Sequence, residues 1–279
     1  MFAAGRVGGQ NIENLPKIVR LRDKTEQKVR NDKTMNDRTL PDSPAPREWP
    51  AGFKLTIIIP VFNEQQTVAE ILHRVRAVPI PKEIIVVDDC STDGTRSVLE
   101  QLADWAELRV IHKPQNAGKG AALRTGFAAA TGDVVVVQDA DLEYDPNDLP
   151  SLLGPILRGE ADVVYGSRYL HAVPQDPSFL HRLGNQVLTW ASNLFTGLRL
   201  TDMETCYKMI PRPLLQSLDI QQNRFGFEPE VTAKLARRGA RIKELPIRYE
   251  SRGYNEGKKI GWRDGVNAFY CIVRYRWRD

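Results

Sequence analysis

Cysteine is scarce in this chain of 279 residues. Cys90, Cys206 and Cys271 lie far apart and form no CxxC pair, so a disulfide framework is not expected and the set suits a reducing, cytoplasmic compartment. The four histidines (His73, His112, His171 and His181) are scattered too, which argues against a finger- or ribbon-type zinc site. No run approaches the roughly 20 apolar residues of a spanning helix. The densest runs, Leu55–Phe62 and Val134–Val137, are strand-length. No apolar stretch follows the first N-terminal charges, so a secretory signal is not expected there. Two nucleotide signatures are also missing. No GxGxxG follows the first apolar run, which disfavours a dinucleotide dehydrogenase, and no GxxxxGK[ST] phosphate loop occurs. Glycine and proline, at 20 and 18, are too few for a collagen or a low-complexity chain.

What is present is ordinary globular material: 42% hydrophobic and 27% charged residues, enough for a sizeable core. The net charge of +4 is uneven. Residues 1–50 carry 10 Lys/Arg against 7 Asp/Glu, residues 51–251 carry 22 against 25, and residues 252–279 carry 7 against 3. A mildly acidic body between basic ends argues against a nucleic-acid binder. A basic tail rich in aromatics suggests contact with a membrane surface.

Three regions follow. Residues 1–50 read as a polar arm, with one short helical spacing at Ile12, Leu15, Ile18 and Leu21. Residues 51–250 carry strands and helices in alternation. Buried strands are expected at Leu55–Pro60, Glu83–Val87, Leu108–His112, Val134–Val137 and Asp162–Tyr165. Helices are expected through Val68–Val75, after a Ser91 cap with Val98, Leu102 and Trp105 inward, at Ala121–Ala130 and at Leu149–Leu157. This alternation implies an α/β fold with a mostly parallel sheet flanked by helices. Beyond Gly166 the rhythm loosens into a less regular α+β half. It has a loop at 168–181, a helical face at Leu183, Val187, Trp190 and Leu194, and an extended Asp202–Ile210. A helix at Pro229–Arg238 and a strand at Arg241–Tyr249 follow. Residues 251–279 read as a basic loop and an amphipathic helix, Arg263–Trp277. Val266, Phe269, Tyr270, Val273 and Trp277 share one face of it; that face either packs on the sheet or a partner subunit, or meets a membrane.

Ligands of open α/β sheets bind beyond the carboxyl ends of the strands. Here those ends are acidic: Asn63-Glu64, Asp88-Asp89 and Asp139-Ala140-Asp141. Residues i and i+2 of an extended segment face the same side, so Asp139 and Asp141 repel unless a cation lies between them. A Mg²⁺ or Mn²⁺ ion fits, since Mg²⁺ takes one or two carboxylates together with substrate phosphates. Glu143 continues the alternation as a third ligand, direct or through water. Such a DxD also occurs as a plain acidic turn. Asp88 and Asp89 either bind hydroxyl or base N–H groups or shape the turn before the next helix. Asn116–Gly120 places glycine amides and the Lys119 ammonium before a helix, where they would suit a phosphate.

The set IIPVFNE (Ile58–Glu64), VDDCSTDGT (Val87–Thr95), NAGKGAALRTG (Asn116–Gly126) and QDADLEYD (Gln138–Asp145) resembles family 2 glycosyltransferases of the GT-A fold, in particular the polyprenyl-phosphate branch that includes dolichyl-phosphate mannosyltransferases. Asp202–Lys208 and Phe225–Glu230 look like that branch's acceptor-side half. The resemblance spans about residues 54–250. It implies that Pro60, Phe62, Glu64 and Asp88 or Asp89 hold the nucleoside, with Gly118 and Lys119 near the phosphates. It also implies that Asp139, Ala140 and Asp141 hold metal and diphosphate, with Glu143 as a further ligand, and that Arg168 approaches phosphate. Two departures stand out: relatives often carry spanning helices, which are not seen here, and no QxxRW of processive synthases is present.

The implied reaction is inverting transfer of a hexose from UDP-glucose or GDP-mannose to a polyprenyl phosphate. The metal, Lys119 and either Arg168 or a lid carrying Lys258 and Lys259 would stabilise the leaving diphosphate. An alcohol acceptor would instead need a base, for which Asp202 and Glu204 are the candidates. Two other readings stay open: a soluble transferase acting on a small or protein hydroxyl, and a silent scaffold that binds nucleotide sugars. Homo-oligomerisation is left open as well.

Overall fold

A computed structural model describes residues 48–171, 179–251 and 262–277, with the backbone alone for 179–181 and 262–264. The expectations for the N-terminal arm and for the Lys258/Lys259 lid lie outside the described residues.

The strands are β1 Leu55–Val61, β2 Lys82–Asp88, β3 Leu108–His112, β4 Val134–Val137, β5 Val163–Ser167, β6 Lys208–Pro211 and β7 Ile242–Pro246. They form one seven-stranded sheet in the order β3-β2-β1-β4-β6-β5-β7. β1 pairs in parallel with β2 and β4, β2 with β3, and β5 with β7. β6 alone runs antiparallel, to β4 and to β5. The helices are α1 Val68–Ala77, α2 Thr95–Gln101, α3 Lys119–Ala129, α4 Leu149–Leu157, α5 Phe179–Thr196, α6 Arg212–Gln216, α7 Phe227–Arg237 and α8 Trp262–Trp277.

The pleat explains the layers. Ile57 and Ile59 point to one face and meet α1 and α4 through Ile71, Leu72 and Leu152. Ile58 points to the other, with Ile85 and Val87, and meets α3 and α7 through Leu123, Phe127, Val231 and Leu235. Both faces are covered, so the central strands read as unbroken apolar runs. α3 lies close to the sheet because Gly126 carries no side chain; a Cβ there would come within 2.5 Å of Ile58 Cγ2.

Some expected boundaries shift. α2 begins at Thr95 with Gly94 before it, not at Ser91. Ser91 instead accepts from the Asn63 amide, and Asp93 takes the Thr95 N–H. α2 ends at Gln101 and buries Thr95 and Leu99, while Val98, Leu102 and Trp105 only border the core. The extended stretch expected from Asp202 is a strand only at Lys208–Pro211. α5 already begins within the loop expected at 168–181.

The apolar stripes expected on the last two long helices face outward. Leu183, Val187, Trp190 and Leu194 on α5 are exposed, as are Val266, Phe269, Tyr270 and Trp277 on α8. α5 and α8 pack together, with the Phe195 and Phe269 rings edge-on at 6.3 Å. Eight of the nine exposed large apolar side chains among the described residues belong to these two helices. No helix among the described residues is long and apolar enough to cross a membrane.

Candidate active site

Three adjacent parallel strands, β2, β1 and β4, end in the acidic segments, and each is followed by a non-glycine residue in the left-handed region. These are Cys90 (φ 64°), Asn63 (φ 58°) and Leu142 (φ 65°). Such backbone costs about 1–3 kcal/mol per residue and persists where surrounding contacts impose it. At Asn63 the contacts are visible. Its side chain accepts from the Thr92 amide at 2.8 Å, which stitches the turn after β1 to the turn after β2.

The Asp88 carboxylate is buried and fully engaged by Ser91 N (2.8 Å), Arg96 Nε (2.8 Å) and His112 Nδ1 (2.9 Å). Burial alone would raise its pKa; the hydrogen bonds from His112, Ser91 and Arg96 outweigh it and hold it below the usual aspartate value. Asp89 receives Lys113 Nζ at 2.6 Å and the amides of Ala117 (3.1 Å) and Gly118 (2.6 Å). Those amides were expected to face a phosphate, and here they brace the loop onto Asp89. Pro60, Phe62 and Glu64 lie at the end of β1, all partly exposed. Glu64 accepts from Thr67 Oγ1 at 2.8 Å.

Lys119 opens α3 and sits on the Asp139 carboxylate, at 2.9 Å from Oδ1. Its second partner is Glu228, in the first turn of α7, at 3.1 Å. Burial works against its charge, yet Asp139 and Glu228 hold its pKa well above the usual lysine value. Gly118 makes this possible. Its φ is +94°, and a Cβ would meet the Asn223 carbonyl oxygen at 2.5 Å. Ala140 is buried between the two aspartates. Asp141 accepts from the Glu143 amide, and Glu143 accepts from the Tyr249 hydroxyl at 2.7 Å. Among the described residues no three His, Cys, Asp or Glu side chains converge on one point, so Glu143 does not close a three-carboxylate cluster with Asp139 and Asp141. The donors nonetheless fit a hard cation. Asp139 and Asp141 offer carboxylate oxygens, and Asp139 already carries a positive charge in the form of Lys119.

On the acceptor side Arg168 is buried and paired bidentately with Asp202, Nε to Oδ2 at 2.7 Å and Nη2 to Oδ1 at 2.8 Å. Tyr249, Tyr169 and Tyr144 surround the guanidinium at 5.2, 5.5 and 5.9 Å. Burial pushes the Asp202 pKa up, but Arg168 outweighs it and the carboxyl stays below the usual aspartate value. Asp202 also receives Asn185 Nδ2 at 3.1 Å. It is therefore an anchor, not the free base that an alcohol acceptor would need. Glu204 differs. The residue is half-buried, its buried Oε1 has no hydrogen-bond partner among the described residues, and desolvation, with Glu228 nearby, pushes its pKa up to about 8.

Glu228, Asn185 and the tyrosines round Arg168 were not assigned roles from the sequence. Glu228 lies within the FGFEPE stretch, and an acid in the first turn of an apolar helix was the available signal.

The family model for glycosyl transferase family 2 matches residues 56–218. The chain belongs to glycosyl transferase family 2. It is similar to the undecaprenyl-phosphate mannosyltransferase of Micrococcus luteus, 32% identical over 80% of this chain and 96% of that protein. It is also similar to the dolichol-phosphate mannosyltransferase of Pyrococcus furiosus, 27% identical over 75% of this chain but only 60% of the relative. Among solved structures, glucosyl-3-phosphoglycerate synthase from Mycobacterium tuberculosis, in complex with Mn²⁺, UDP and phosphoglyceric acid, superposes with a TM-score of 0.62. It is 22% identical and covers 82% of this chain and 80% of that one. The mostly parallel sheet is thus that of a GT-A glycosyltransferase.

Proposed function

We propose that this family 2 glycosyltransferase moves a hexose from UDP-glucose or GDP-mannose to a polyprenyl phosphate, with inversion, at the surface of a membrane. The observation that carries the donor half is the Asp139–Asp141 pair beyond β4, at the carboxyl end of the parallel strands. The acceptor half is supported by similarity to the Micrococcus enzyme, whose name specifies undecaprenyl phosphate.

A Mg²⁺ or Mn²⁺ ion held by Asp139 and Asp141 would neutralise charge on the diphosphate. The acceptor phosphate oxygen forms the new bond to the anomeric carbon as the bond to the diphosphate oxygen breaks, and the nucleoside diphosphate leaves with the electron pair. An acceptor phosphate is already an anion, so no residue need take a proton. Lys119 is the cation assigned to the developing negative charge, while Arg168, engaged by Asp202, shapes the acceptor side. Asp89 holds the Asn116–Gly118 loop so that Lys119 reaches its place. The unpartnered Glu204 oxygen keeps a hydroxyl acceptor as the second reading.

The test combines the purified protein, Mg²⁺ or Mn²⁺, and a panel of nucleotide sugars with and without undecaprenyl or dolichyl phosphate. A lipid-linked hexose formed only with metal and carrier supports the proposal. Equal sugar release without carrier, or transfer to a water-soluble alcohol alone, defeats the acceptor assignment. Asp139→Ala and Asp141→Ala should each abolish metal-dependent binding of UDP or GDP in calorimetry while the fold is retained.

A further inference from the structure

We propose that Lys119 is a built-in counter-ion that must leave Asp139 before that carboxylate can serve a divalent cation, and that Glu228 is the seat it keeps when it does. The proposal rests on the reading of Asp139 and Asp141 as the metal pair. The ammonium lies between two carboxylates from different parts of the chain, 2.9 Å from Asp139 beyond β4 and 3.1 Å from Glu228 on α7. As the first residue of α3, Lys119 stands at the helix end where a positive charge is disfavoured. The two acids offset that. Glu228 is in the opposite situation: its acid lies in the first turn of α7, where the helix favours it.

A lysine ammonium is a compact charge on a flexible stem, so it can exchange one partner without backbone movement. With Asp139 given over to a metal, the ammonium loses one carboxylate, retains Glu228 and can turn to the diphosphate. Metal alone must break an ion pair and so binds weakly. A nucleoside diphosphate offers the ammonium a replacement partner, so metal and nucleotide reinforce one another. Glu228 is then a positioning residue, acting through Lys119.

The test is Mn²⁺ binding, followed by the electron-spin signal of free Mn²⁺, first without nucleotide and then with saturating UDP or GDP. Lys119→Met, with Lys119→Gln as a second neutral variant, should bind Mn²⁺ alone about tenfold more tightly than the parent protein, a usual size for linked sites. The tightening by nucleotide should shrink in both. Glu228→Gln should weaken Mn²⁺ binding severalfold, because the ammonium then has only Asp139. In the double variant Lys119→Met/Glu228→Gln that weakening should vanish. Neutral variants that bind Mn²⁺ no better than the parent overturn the proposal. So does a Glu228 effect of equal size with and without Lys119, which would make Glu228 merely a distant charge. If the parent protein binds no Mn²⁺ with either nucleotide, the metal reading fails and this proposal with it. If it binds Mn²⁺ but the variants do not diverge, the reading stands and the proposal alone fails.

Discussion

Asp202 and Glu204 lie two residues apart, were equivalent candidates from sequence, and end in opposite electrostatic states. Asp202 faces a guanidinium with matched geometry, whereas at Glu204 desolvation and the neighbouring Glu228 outweigh the positive charges of Lys208 and Arg168. Asp202→Asn should therefore act through the fold. It leaves Arg168 buried without its counter-charge, a loss of about 3–5 kcal/mol, to be read in urea unfolding. Unchanged stability together with a selective fall in turnover would restore Asp202 as a base. Glu204 makes the opposite prediction in pH. Its folded pKa, pushed up to about 8, lies above the ordinary glutamate value of 4.5. The folded state thus holds a proton that the unfolded chain has lost, and the stability this brings is full below pH 4.5 and is lost as pH rises toward 8. Glu204→Gln should flatten that decline between pH 5 and 9. Parallel unfolding curves for the two proteins would refute the assignment. Neither distinction could be read from sequence, because each depends on which side chain from a distant segment arrives opposite.

Element positions were far more legible than element surroundings. Leu149–Leu157 and Val134–Val137 were bounded from sequence as they are found, because an unbroken apolar run or a helical repeat reports local periodicity. The start of α2 was missed because Ser91 is drawn into the turn joining two strands, a contact 28 residues apart. The glycine loop before α3 was legible as a loop but not in its orientation. Its amides turn to Asp89, so the loop delivers Lys119 rather than a row of N–H donors. That gives Gly118 a sharp role. Gly118→Ala combines a left-handed φ with a 2.5 Å approach to the Asn223 carbonyl. At φ 94° and ψ 165° the backbone is in a region open essentially to glycine alone, which costs another residue about 1–3 kcal/mol, and relief of the clash must displace Lys119 or the Asn223 segment. Metal-dependent UDP or GDP binding should fall in calorimetry along with thermal stability. A variant that loses stability but binds as tightly would mean the loop does not set the position of Lys119.

At the scale of the whole molecule the stripes on α5 and α8 matter most. Periodicity located both, but an amphipathic pattern does not say which side is wet, and only the packing shows that both stripes face out. The two helices pack together, and α5 also supplies Asn185 to the Arg168–Asp202 pair. The apolar face thus belongs to the same element as the acceptor-side anchor. Its composition fits a lipid surface: Trp190 and Trp277 are 66% and 70% exposed, Tyr270 is exposed on α8, and Arg274 and Arg276 lie along the same helix. Each arginine near an anionic leaflet adds about 1 kcal/mol. Removing α8 would be a poor test, since its other face buries Cys271, Ile272 and Tyr275, and the loss would open the core. Substituting Trp190→Ser, Val266→Ser and Trp277→Ser spares that face and the Phe195–Phe269 contact between the two helices. The parent protein should sediment with anionic vesicles at low salt and less at high salt, and the triple variant should stay in solution at both. Metal-dependent UDP or GDP binding should be the same in the two, which separates a lost surface from a damaged site. A parent protein that forms dimers and ignores vesicles, while the triple variant is monomeric, would assign the face to a second copy of the chain instead.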